Sequence, residues 1–73
     1  MSCLGEKIKE LRTARSMSLG GLARASDLSK AHIWDLERGH SDNPSVDALA
    51  RIAAALGVPA VDLFRAALRE RAS

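Results

Sequence analysis

Between Ser29 and Arg38 the chain carries Lys30, Ala31, Trp34, Asp35 and Arg38 at intervals that gather them on one side of an α-helix. At about 100° per residue, Ile33 and Leu36 fall within about 40° of Ser29 and form the opposite, inward side. The outward set can read base edges: Lys30 donates to guanine O6 and N7 or to a phosphate, and Asp35 accepts from cytosine N4. The Ala31 methyl can touch a thymine methyl, and Ser29, outside this set but at the helix start, has a hydroxyl that serves either polarity. Plainer readings stand beside these: a solvated lysine, an alanine that is only a good helix former, and an aspartate paired with Arg38 or Lys30. Lys30 would stand in a first turn, where the helix dipole disfavours a cation by some tenths of a kcal/mol, and this suggests an anionic partner.

Trp34 is the only tryptophan, and it points away from the inward residues. Three places suit its ring: the sugar and backbone at a groove edge, the loop at His40 to Asn43, or a protein interface. The last two are favoured over base contact. Phosphate contacts are expected from a rim of Ser18, His32, Arg38, His40, Asn43 and Ser45, with amides at a helix start adding to it. His32 lies at the edge of the wheel and reads as partly packed or phosphate-facing. Two scattered histidines do not make a zinc site, so no metal or cofactor is expected.

Elements that would hold these residues follow from the apolar periodicity. Leu4, Ile8 and Leu11 define an amphipathic helix to about Arg15. Ser18 caps a two-turn helix with Leu22, Ala23 and Leu19 inward, stopping at Ser26 and Asp27, and Ser29 caps the third helix, which ends near Arg38 and Gly39. The polar run His40 to Pro44 reads as a loop, and Ser45 caps a fourth helix with Leu49, Ile52, Ala53 and Leu56 inward and Gly57 at its end. Pro59 starts a fifth, in which Val61, Phe64 and Leu68 repeat at helical spacing. The fold class is therefore all-α: five short helices, with a helix-turn-helix at about 18–38, in a single domain over 1–73.

The dispersed set LGEKIKELR from Leu4 to Arg12, Met17-Ser18, Leu22-Ala23, Leu28-Ser29, Ile33, Leu36-Glu37-Arg38-Gly39, Asn43-Pro44-Ser45 and Ala55-Leu56-Gly57-Val58 resembles the Cro/C1-type (Xre) helix-turn-helix family over residues 4 to about 64. The resemblance implies a five-helix repressor-like fold, binding of double-stranded operator DNA with the third helix in the major groove, and a homodimer on a near-palindromic site. It also implies an ion pair between Arg12 and Glu37 that fixes the tilt of the reading helix. Phe64, Ala67 and Leu68 are the candidate dimer contacts, because the fifth helix is more apolar than one inward stripe requires. The chain departs from the family pattern at Leu19, where glutamine is usual, at Gly20 and Gly21, and at Asp27 in place of the turn glycine. Aspartate tolerates the left-handed conformation that the turn needs.

Composition bounds the alternatives. With 73 residues there is room for one small core, and 47% hydrophobic residues against 3% aromatic make that core aliphatic. A net charge of +2 permits nucleic-acid binding without demonstrating it. Cys3 is the sole cysteine, and Ile52 to Leu56, the longest apolar stretch, is far short of the roughly 20 residues that span a bilayer. The expectation is a cytoplasmic protein with no membrane partner. A second class of function stays open, a protein-interaction module using Trp34 and the apolar face of the fifth helix for a protein partner. No nucleophile, base and orienting group are placed to form an enzyme site.

Overall fold

A computed structural model describes residues 3–40 and 44–72. It contains α1 (Cys3–Ala14), α2 (Leu19–Ser26), α3 (Lys30–Glu37), α4 (Val46–Leu56) and α5 (Ala60–Ala72), and no strand among the described residues. Three serines start the inner helices. Ser18, Ser29 and Ser45 each accept from the backbone N–H three residues on, at 2.9, 3.0 and 3.0 Å, and so satisfy one of the N–H groups that a helix start leaves open.

The first four helices end alike. Ser16, Asp27, Gly39 and Gly57 take positive φ (55, 58, 75 and 71°), and the next residue's N–H reaches back five positions: Met17 to Arg12, Leu28 to Ala23, His40 to Asp35, Val58 to Ala53. This is the Schellman closure, which turns the chain sharply and satisfies terminal carbonyls. Asp27 thus holds the left-handed position expected of it. Ser16 does the same with no compositional sign, since serine is not among the residues that favour that region.

Leu4, Ile8, Leu22, Ile33, Leu36, Ile52, Leu56 and Leu63 are fully buried, with Ala23, Leu49, Ala53 and Ala66 beside them. α1 packs on α3 and α5, α2 on α3 and α4, and α4 on α5. In α5 the inward stripe differs from the expected one. Leu63 and Ala66 are buried and Ala60, Phe64 and Ala67 lie against the core, whereas Val61 is 46% and Leu68 63% exposed. The helix carries two apolar stripes about 100° apart, and periodicity alone does not choose between them. Packing chooses the one through Leu63, whose small neighbour Ala66 lets the helix sit close to α1 and α4.

α1 meets the end of α3 at Gly5. A Cβ at this position would lie 2.5 Å from the Leu36 carbonyl oxygen and 2.6 Å from that of Glu37, so only glycine admits this approach of one helix to the other's last turn. The contact seats the start of α1 against the last turn of α3.

Candidate nucleic-acid interface

Arg12 reaches from α1 to the last residue of α3. Its Nε and Nη2 donate to the two carboxylate oxygens of Glu37 at 2.6 and 3.0 Å, and Nη1 donates to the Met17 carbonyl at 2.8 Å. The two side chains are 11% and 5% exposed. Hydrogen bonding to Glu37 raises the Arg12 pKa above its ordinary value, burial opposes this, and the charge of Glu37 adds to it. One guanidinium therefore binds α1, the turn before α2, and the end of α3.

Held in this way, α3 turns Lys30, Ala31, Trp34, Asp35 and Arg38 to solvent, with Ile33 and Leu36 buried behind them. Ser29 is exposed at the helix start, where its hydroxyl oxygen is used by the His32 N–H and its own proton is left for another acceptor. Ser18 and Ser45 are exposed caps of the same kind, His40 is exposed beyond α3, and His32 is half-buried. Asn43 lies outside the described residues. Lys30 and Asp35 make no ion pair among the described residues, so the local pairing of Asp35 with Arg38 or Lys30 is not formed.

Trp34 is 46% exposed, and the Arg38 guanidinium carbon stands over its ring, 5.0 Å from the centroid. This cation–π contact joins two residues of the outward face that the sequence reading kept separate. Their spacing of four on a helix was the available signal. On the flank, Arg51 pairs with Asp47 at 3.0 Å and with Asp27 at 3.3 Å, a weak exposed tie between α4 and the end of α2.

Phe64 and Ala67 are half-buried and Leu68 is exposed on α5. An open cleft of about 270 Å³ between α1 and α5 is lined by Lys7, Asp62, Arg65, Ala66 and Arg69, a set without a nucleophile and base in register. Among the described residues no group of three or more metal-ligating side chains comes together, and no helix is long and apolar enough to cross a membrane.

Two helices joined by a left-handed turn, the second exposing its polar side, define a helix-turn-helix domain. Residues 4–68 match the model of a family described as a helix-turn-helix domain. The chain belongs to this family, in its Cro/C1 (Xre) branch. It is 42% identical over 61 residues to the control protein C.BamHI of Bacillus amyloliquefaciens, covering 82% of this chain and 74% of that one. It is 38% identical over 61 residues to the HTH-type transcriptional regulator DdrOP3 of Deinococcus deserti, covering 84% and 46% respectively. The solved structure of SinR, a master regulator for biofilm formation, in complex with DNA is similar at a TM-score of 0.79 and 31% identity, over 84% of this chain and 97% of that one. The chain spans 46% of the length of DdrOP3 and 48% of that of the regulator RghRB of Bacillus subtilis.

Proposed function

We propose that this chain is a sequence-specific DNA-binding transcriptional regulator that lays α3 in the major groove. The observation that carries the reading is the outward face of α3, held in place by Arg12–Glu37 in a fold similar to that of a regulator solved with DNA. Lys30, Ala31 and Asp35, with Ser29, contact base edges from the first turns of the helix, where helix-turn-helix proteins make such contacts. Ser18, His32, Arg38, His40, Asn43 and Ser45 contact phosphates on either side. With histidine neutral, Arg38 is the one cation among these six, so the electrostatic share of affinity rests on Arg38 and Lys30 and a modest salt dependence follows.

The same reading gives a cytoplasmic, non-enzymatic repressor acting as a homodimer through Phe64, Ala67 and Leu68. The exposed Val61 and Leu68 support it, because they extend the half-buried Phe64 and Ala67 into an apolar patch that a second copy can cover. Selection of bound sequences from random duplex DNA tests the reading directly. A recovered half-site repeated about one helical turn apart is the expected result. Recovery of no sequence preference at low salt rejects it in favour of a protein-binding module.

A further inference from the structure

We infer that Trp34 is a positioning residue: its ring holds the Arg38 guanidinium so that its donor edge meets a backbone phosphate at the rim of the major groove. The inference rests on α3 being the reading helix. Arg38 caps the C-terminus of α3, with Gly39 turning the chain away immediately after it. The first turn of a recognition helix faces base edges, so a residue at the far end lies toward the backbone of one strand.

The pair lies outside the buried core and outside the partly buried residues packed against it. Trp34 is half exposed, the core beneath α3 is filled by Ile33 and Leu36, and the Arg38 guanidinium carbon stands over the exposed ring. Nor is Arg38 neutralised by a carboxylate among the described residues: Glu37 beside it is taken by Arg12, and Asp35 one turn back forms no pair. A guanidinium lying over a ring keeps its in-plane N–H donors available, in a fork that matches two phosphate oxygens. A long side chain held beforehand loses less freedom on binding than a loose one. The arrangement thus presents an uncompensated, oriented cation on the face proposed for DNA.

The test is a double-mutant cycle on the full chain, read as affinity for the best duplex from the selection across a salt series. Trp34→Ala is expected to weaken binding about two- to fivefold, Trp34→Phe to recover most of the loss, and far-UV melting curves to stay near wild type. Arg38→Ala is expected to flatten the slope of log affinity against log salt by about 0.9, the share of one phosphate. In the Arg38→Ala background, Trp34→Ala should then change affinity less than about 1.5-fold. An undiminished Trp34→Ala effect in that background would mean that the ring itself touches DNA, and an unchanged salt slope in Arg38→Ala would mean that no phosphate is held there. Either overturns the inference. Wild-type binding with both variants unaltered removes it alone, whereas a wild type that binds no duplex removes the proposed function with it.

Discussion

Arg12 and Glu37, 25 positions apart, face each other through two hydrogen bonds of 2.6 and 3.0 Å, in the paired geometry of a guanidinium and a carboxylate. With side chains 11% and 5% exposed, neither charge has much water to fall back on. Arg12→Ala strands Glu37 and also frees the Met17 carbonyl, so it should cost about 3 kcal/mol in urea unfolding. Arg12→Lys keeps the charge but loses the fork and should recover only part of this. Equal stability of Arg12→Ala and wild type would show that water serves Glu37 equally well.

The same pair makes a pH prediction. The folded state raises the Arg12 pKa, chiefly through its hydrogen bond to Glu37. A raised basic pKa gives stability that is complete below the unfolded value and is lost only as pH climbs through the folded one. For arginine both lie beyond the alkaline limit of ordinary measurement, so the stability difference between wild type and Arg12→Ala should be the same at pH 7 and pH 10. A difference that shrinks over this interval would indicate that another group carries the effect.

Gly5 and Gly20 separate two meanings of glycine in a helix. A Cβ on Gly5 runs into backbone oxygens of Leu36 and Glu37, which cannot swing aside, so Gly5→Ala should destabilise by about 1–3 kcal/mol despite alanine's better helix propensity. Since α1 would be pushed off the end of α3, DNA affinity should fall as well. A Cβ on Gly20 meets only the Ser18 hydroxyl, at 4.0 Å, so Gly20→Ala should stabilise by up to about 1 kcal/mol. A drop in DNA affinity in this more stable variant would place the DNA backbone close to the start of α2. Unchanged affinity would leave Gly20 as no more than a poor helix former.

Lys30 stands in the first turn of α3, exposed and without an ion pair among the described residues. Removing it relieves a small unfavourable interaction with the helix dipole, so Lys30→Ala should leave the melting temperature unchanged or slightly higher. Affinity for the selected duplex should fall by roughly 1–3 kcal/mol if Lys30 reads guanine, with preference relaxed at one base pair. A uniform loss across sequences, accompanied by a shallower salt slope, would make Lys30 a phosphate contact. No change in affinity would remove it from the interface.

Much of this architecture is legible along the chain. Serines directly before apolar periodic runs mark three helix starts, because a short hydroxyl side chain can close on the N–H three residues ahead. The outward face of α3 follows from a wheel, since Ile33 and Leu36 leave only one side for the core. Other features have no local signal. Ser16 is left-handed because the α1–α2 connection requires it, and the closeness of Gly5 to α3 exists only once the two helices have packed. Nothing local links Arg12 to Glu37, which only the family resemblance brought together. Spacing could have linked Trp34 to Arg38, but the cation–π contact depends on a rotamer that the wheel does not specify.

The two apolar stripes of α5 lead to the last prediction. Leu63 is fully buried, so Leu63→Ala should cost about 2–5 kcal/mol, enough to leave a domain of this size substantially unfolded. Leu68, one stripe away and 63% exposed, contributes little within one chain, so Leu68→Ala should shift monomer stability by less than about 0.5 kcal/mol. If a second copy covers Phe64, Ala67 and Leu68, then Leu68→Asp should dissociate it, because two carboxylates would meet across a two-fold apolar contact. Sedimentation equilibrium should therefore show dimers for wild type and monomers for Leu68→Asp, with matching helical content. DNA affinity should fall with the dimer, since each monomer would then hold a half-site alone. Wild type sedimenting as a monomer at high concentration would instead leave the exposed stripe to a different protein, and Leu68→Asp would then have no effect on DNA binding.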